Sequence, residues 1–142
     1  MQDLEIAKQA LKTRGFSLVI VKDGRPIFES YSSGIIGLLQ AVETHHEELK
    51  DSSVADKIVG RAAALLLAYC LVKEVYAVTV SNEGLRIFQE NQVRIEYDSI
   101  VPKILDRDGK DICPFEKLSL SIASPQESYD KLKRCVEEMR KK

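Results

Sequence analysis

The stretch VYAVTVSNEGLRIFQENQVRIEY (75–97) contains the pattern that decides the fold. Its first six residues are apolar, aromatic or β-branched, and so short a run is typical of a buried strand. Ser81 then caps a helix that we expect to extend through Phe88, with Glu83 in its first turn. VRIEY (93–97) alternates as a half-buried strand should, and two strands joined through a helix are expected to run parallel.

A hairpin is predicted upstream of this unit, after a short helix at residues 3–14. The apolar runs FSLVIV (16–21) and PIFES (26–30) flank Asp23-Gly24, a pair typical of two-residue turns that need positive φ. A hairpin followed by alternating helices and strands predicts an α/β protein. We expect three α/β/α layers around a mixed sheet that begins with the hairpin.

The middle of the chain is predicted to be helical. GIIGLLQAVETHHEEL (34–49) repeats apolar residues at helical spacing. After a polar break, residues 54–73 are expected to form one long apolar helix. Its longest apolar run, residues 62–72, has 11 residues, and a membrane span needs about 20. The pattern therefore indicates a buried helix and no membrane span.

The last third of the chain is predicted to contain a loop, a strand and a helix. DRDGKDICPFEK (106–117) has the composition of an irregular loop, and LSLSI (118–122) is interpreted as a short strand. A closing helix follows, with Ser124 as N-cap, Pro125 at the first helical position and Glu127 completing a capping box.

Length and charge narrow the class of protein. The 142 residues, 44% hydrophobic and 30% charged, predict a single globular domain over residues 1–142. The formal net charge of -1, from 21 basic and 22 acidic residues, disfavours nucleic acid and anionic membranes as partners. Composition leaves a homo-oligomer open.

Cysteine usage and the first residues indicate the compartment. Cys70, Cys113 and Cys135 are far apart and odd in number, which argues against a disulfide framework. Neither C-x-x-C nor H-x-x-x-H spacing occurs, so no structural zinc is expected. The amphipathic first residues lack the apolar stretch of a signal peptide, and the expected location is cytoplasmic.

Polar residues gather where the predicted helix 54–73 begins. Lys57 and Arg61 are four residues apart, so they would share a helix face, and Gly60 lies between them. Cations at the positive end of a helix dipole are unfavourable, and a bound anion would make them favourable. Alternatively, Ser53 and Asp56 form a capping-box-like pair that only satisfies backbone amides. The sequence leaves both interpretations open.

Two other segments could carry chemistry. SSGIIG (32–37) places Ser32, Ser33 and two glycines at a second helix start, a weak phosphate signal for which plain capping is the better explanation. Cys113 lies in a loop and could act as a nucleophile. No histidine lies near it in sequence, so packing is the favoured role for this thiol.

The segments FSLVIVKDGRPIFES, SSGI, ADKIVGRAAALLLAY, VYAVTVSNEGL and DICPFEK together resemble the proteins grouped as domain of unknown function 1893. ADKIVGRAA and CPFE are the most specific segments. The resemblance implies a cytidine-deaminase-like fold. Deaminases of that fold hold zinc and activate a water with His-x-Glu or Cys-x-Glu at one helix start and Pro-Cys-x-x-Cys at the next. Residues 54–57 and 81–84 supply neither pattern, so neither a metal nor another cofactor is expected.

The resemblance also implies where a site would lie, at the corner where the central helix and its neighbour begin. The residues expected there are Asp56, Lys57, Gly60, Arg61, Ser81 and Asn82, with Cys113 and Glu116 closing over them from the loop.

Three hypotheses follow for this corner. The first is a binding site for a small anion, such as a nucleotide or phosphometabolite, held by Lys57 and Arg61 and oriented by Asp56. The second is a metal-independent enzyme that uses Asp56 or Cys113 for acid–base or nucleophilic chemistry, with Lys57 lowering the pKa of its partner. The third is a non-catalytic scaffold or oligomerisation domain.

Overall fold

A computed structural model describes residues 1–32, 34–106 and 108–141, so Ser33, Arg107 and Lys142 of the segments discussed above lie outside the described residues. The elements in chain order are α1 (Asp3–Arg14), β1 (Leu18–Lys22), β2 (Arg25–Ser30), α2 (Ile35–His45), a 3-10 turn (His46–Leu49), β3 (Ser53–Val59), α3 (Arg61–Tyr69), β4 (Glu74–Ser81), α4 (Asn82–Glu90), β5 (Arg94–Val101), α5 (Pro114–Ser119) and α6 (Pro125–Arg140).

The strands form one mixed sheet in the order β2-β1-β3-β4-β5. β1 is antiparallel to both β2 and β3, whereas β3, β4 and β5 run parallel. The leading hairpin is confirmed, because Asp23 and Gly24 have φ values of 51° and 80°. The parallel pairing of β4 and β5 is confirmed by the register of Val75 opposite Ile95.

Helices cover both faces of the sheet, which gives the predicted three layers. Alternate residues of β1 point into two different cores. Val19 and Val21 pack with Leu4, Ala7 and Leu11 of α1. Leu18 and Ile20 belong to a larger core. The other helices contribute residues to it that include Leu38, Leu66, Ile87 and Leu132. The α/β class and the mixed sheet are therefore confirmed.

The predicted long helix over 54–73 is wrong at its beginning. Residues Ser53–Val59 form β3, the central strand, which pairs with β1 on one side and β4 on the other. The helix α3 starts only at Arg61, after Gly60. The β-branched residues Val54, Ile58 and Val59 suit a strand, and the apolar run that follows concealed the boundary.

The strand at residues 53–59 changes the surroundings of Lys57, Ser53 and Asp56. Lys57 lies on a strand and Arg61 on a helix, so the two cations do not share a helix face. Ser53 and Asp56 are strand residues as well and form no capping box. The hydroxyl of Ser53 instead donates a hydrogen bond to Glu74 Oε2 at 2.6 Å.

The region 106–122 also differs from the prediction. The loop ends early, because Pro114 begins the short helix α5, where its missing N–H costs nothing. The predicted strand 118–122 is wrong: Ser119 ends α5, and Ile122 lies fully buried in the core after a turn.

The closing helix α6 is confirmed, although its cap differs from the predicted one. Ser124 makes no side-chain cap. Glu127 accepts from the amide of Ala123 at 3.0 Å instead of completing the box with Ser124. None of the described helices combines the length and apolar character needed to cross a membrane.

Candidate functional site

The corner is the carboxyl-terminal edge of β3 and β4, where α3 and α4 begin side by side. The two helix starts are in close contact, since a Cβ added at Gly84 would lie 3.1 Å from the carbonyl oxygens of Val59 and Gly60. Ser81 caps α4 as predicted, with its hydroxyl accepting from the Gly84 amide at 3.0 Å. Residues far apart in sequence therefore meet at this edge.

The carboxylate of Glu116 occupies the start of α3. Its Oε1 accepts from the amide of Arg61 at 2.7 Å, and its Oε2 accepts from the amide of Ala62, also at 2.7 Å. A Cβ at Gly60 would lie 1.7 Å from Oε1, so only glycine leaves room for this carboxylate. Amides that have no partner within α3 are thus satisfied by an acid 55 and 54 residues away.

The environment of Glu116 affects its charge in two opposing ways. Burial raises the pKa of the Glu116 carboxyl, while the hydrogen bonds from Ala62 and Arg61 and the positive charge of Arg61 lower it. Burial is the larger effect, so the pKa lies above its ordinary value. The amides therefore hold an anion whose desolvation they only partly offset.

Arg61 does not face an open pocket, since its side chain is only 13% exposed. Its Nε donates to the carbonyl of Ser119 at 3.1 Å, and its Nη2 donates to the carbonyl of Ile122 at 2.9 Å. Its Nη1 contacts Glu83 Oε2 at 3.3 Å. The guanidinium thus fastens the connection between α5 and α6 to the starts of α3 and α4.

Glu83 lies at the outer rim of the corner. It accepts a hydrogen bond from Arg86 as well as from Arg61. The bond from Arg86 is the main reason why the pKa of the Glu83 carboxyl is below its usual range, and the charge of Arg61 adds to this. Glu83 is thus held ionised at neutral pH.

Asp56 lies inside the sheet, away from the helix starts. It pairs in register with Leu18 on β1 and Ala77 on β4, three residues before the end of β3 at Val59. At about 3.3 Å per residue, that is about 10 Å along the strand. Burial raises the pKa of Asp56 to about 7, although hydrogen bonds from the backbone of Ile58 and Lys57 lower it. Asp56 can therefore change its charge near neutral pH.

The remaining predicted residues have different surroundings. Lys57 is exposed on β3, and its amide donates to the Ser17 carbonyl at 3.1 Å. Asn82 is exposed as the first residue of α4. Cys113 is half-buried before α5, and its amide donates to the Ile104 carbonyl at 3.1 Å. Among the described residues, no hydrogen bond links Asp56 to Cys113 or Glu116.

The structure therefore brings together Gly60, Arg61, Ser81 and Glu116, and it leaves Lys57 apart from Arg61. Sequence reasoning missed the roles of the Ser119 and Ile122 carbonyls. Pro114 before Phe115 and Glu116 was a helix-start signal in the sequence that could have placed this carboxylate on a helix.

The described residues contain no group of three or more His, Cys, Asp or Glu side chains that could hold a metal ion. Because 54–59 is a strand, the two helix starts at the corner are those of α3 and α4, with the sequences GRAA (60–63) and SNEG (81–84). Zinc deaminases place imidazole or thiolate ligands at such helix starts. These segments supply neither, so the residues do not fit a deaminase zinc site.

Comparison with known proteins supports the same fold. A crystal structure of a DUF1893 family protein, TM1506 from Thermotoga maritima, is 32% identical, with a TM-score of 0.86 over 94% of this chain and 89% of that chain. Acinetobacter baumannii RibD, form 2, is 16% identical, with a TM-score of 0.51 over 90% of this chain. The match spans 39% of RibD and supports the deaminase-like fold alone.

No curated protein matches the chain. A family model described as domain of unknown function (DUF1893) matches residues 6–136, which is nearly the whole sequence. The resemblance noted from the sequence is therefore confirmed, and this chain belongs to the DUF1893 family.

Proposed function

We propose that this protein binds a small anion, such as a nucleotide or phosphometabolite, at the start of α3. The observation that carries the proposal is the carboxylate of Glu116, which two backbone amides hold at 2.7 Å each. The amides of Arg61 and Ala62 already form an anion receptor, and its present occupant belongs to the same chain. An external anion would bind by displacing Glu116.

The chemistry of this receptor suits a carboxylate or a phosphate. Backbone amides at a helix start bind phosphate oxygens as they bind carboxylate oxygens. Gly60 presents no side chain to the occupant, so the backbone can approach an anion closely. Burial raises the pKa of Glu116, which means that burial destabilises its charged carboxylate. Moving the carboxylate into water removes that destabilisation.

The roles first assigned to the cations change under this proposal. Arg61 acts as a positioning residue, since its donors hold carbonyl oxygens of the segment that follows Glu116. A direct contact between Lys57 and the anion stays a prediction, as does orientation of the ligand by Asp56.

Replacing Glu116 tests the proposal. Glu116→Ala removes the internal competitor, so we expect phosphate and AMP to bind about tenfold or more tightly than to the wild type, by calorimetry. Glu127→Ala is a matched control, because Glu127 also accepts from a backbone amide just before a helix but lies on α6. We expect that control to bind AMP as the wild type does. Equal affinities in all three proteins would reject the proposal.

A second candidate function is a non-catalytic scaffold in which Glu116 is a permanent cap. The engagement of Arg61 with two carbonyl oxygens and Glu83 favours this candidate. It predicts that Glu116→Ala lowers the free energy of unfolding with no gain in AMP affinity.

The enzymatic alternative depends on Asp56 and Cys113. A pKa of about 7 for Asp56 suits a general acid or base. Nucleophilic chemistry at Cys113 predicts rapid alkylation of that thiol by iodoacetamide at pH 7, and a rate no faster than that of free cysteine would count against it.

A further inference from the structure

The amino-terminal edge of the sheet, opposite the corner, holds an open cavity of about 320 Å³. It lies between the start of α1 and the starts of β4 and β5. Its charged lining residues include Glu5, Lys73, Glu74 and Arg94. Glu96 lines it too, but its carboxylate is paired with Lys8 at 3.1 Å.

Glu74 is the unusual member of this set, because it is only 8% exposed. Its Oε2 accepts from the hydroxyl of Ser53 at 2.6 Å. Among the described residues, no cationic nitrogen lies within 4.0 Å of its carboxylate. Buried charges are normally paired, so a cationic partner for Glu74 would have to come from the cavity.

Two cations line the same cavity without neutralising Glu74. Arg94 is its register neighbour on β5, and Lys73 precedes it in the chain. In the part of the chain that the structure describes, neither cation takes part in an ion pair, and neither does Glu5. Two acidic and two basic side chains that have no ion-pair partner therefore line one cavity.

We infer that this cavity binds a small zwitterion of the α-amino acid class. The ammonium group of the ligand pairs with Glu74, and Glu5 lines the same cavity. The ligand carboxylate pairs with Arg94, whose planar guanidinium can hold both oxygens, and with Lys73. This site lies at the opposite edge of the sheet from Glu116 and does not depend on the proposed function.

The balance of charges selects a zwitterion over a simple ion. A lone anion would satisfy Arg94 and Lys73 and would be repelled by Glu74. A lone cation would pair with Glu74 and would be repelled by Arg94 and Lys73. A ligand with both charges gives Glu74 a cationic partner and gives Arg94 and Lys73 an anionic one.

Calorimetry with the full chain tests this inference. The probes are the twenty α-amino acids, with sodium acetate and methylammonium chloride as ligands that carry one charge each. We expect the wild type to bind at least one amino acid saturably. Each single-charge probe should bind at least about tenfold more weakly.

Arg94→Gln is the decisive variant, because Arg94 is exposed and its loss leaves Ser53 and Glu74 in place. We expect it to weaken amino-acid binding about tenfold. Arg25→Gln, which removes an exposed cation from β2, should leave the affinity unchanged. The inference is overturned if no amino acid binds, if acetate binds as tightly, or if Arg94→Gln binds as the wild type does.

Discussion

Asp56 should make the stability of this protein depend on pH in a direction opposite to that of most carboxylates. Its pKa is raised from 3.8 to about 7 by burial in the central strand. A raised pKa in the folded state means that the neutral acid is favoured by folding. The contribution of Asp56 to the free energy of unfolding is therefore fully present below about pH 4 and is lost as the pH rises through about 7.

The size of this effect follows from the two pKa values. The difference between 3.8 and about 7 corresponds to about 4 kcal/mol of unfolding free energy. About half of it, about 2 kcal/mol, is lost between pH 5 and pH 7, where the folded state still holds a proton that the unfolded chain has released.

Asp56→Asn tests this reasoning, because asparagine has the same shape and no charge. We expect the variant to be more stable than the wild type at pH 8, by up to about 4 kcal/mol, and to show a flatter dependence on pH. Urea unfolding at pH 5, 6, 7 and 8 measures both quantities. Asp130→Asn, at an exposed position on α6, serves as the control.

The reasoning is refuted if the wild type and Asp56→Asn lose or gain stability in parallel from pH 5 to pH 8. Such a result would mean that Asp56 is ionised in the folded protein throughout this range, with its charge solvated or paired.

Two further substitutions test the corner. Gly60→Ala places a Cβ 1.7 Å from Glu116 Oε1, so it should expel the carboxylate and lower the free energy of unfolding by about 2 kcal/mol or more. In a protein that already carries Glu116→Ala, Gly60→Ala should lower the free energy of unfolding clearly less. Equal losses in the two backgrounds would contradict the packing of Gly60 against Glu116. Ser81→Ala removes the hydroxyl that accepts from Gly84 and should cost about 1 kcal/mol in urea unfolding; an unchanged free energy of unfolding would contradict the cap.

Local patterns were sufficient for most of the elements. The hairpin, β4, α4 and the beginning of β5 were predicted correctly, because turn chemistry, helix caps and hydrophobic periodicity act over a few residues. Local patterns did not predict the strand at 53–59, because a buried central strand next to an apolar helix shows no change in hydrophobicity at the boundary. Only its pairing with β1 and β4 identifies it as a strand.

The same division holds for the candidate site. The sequence alone indicated that Gly60, Arg61, Ser81 and Glu116 belong to one corner, through the family resemblance of the segments that contain them. It also determined the fold class, because alternating strands and helices after a hairpin admit few arrangements.

Only the tertiary structure decided what these residues do to one another. Glu116 reaches the amides of α3 across 55 residues of sequence, and the donors of Arg61 point to carbonyl oxygens 58 and 61 residues away. The physical reason is that a carboxylate binds whichever unsatisfied amides the folded chain presents to it. A linear pattern carries the charge of a side chain, whereas its partner is determined by the packing of distant elements.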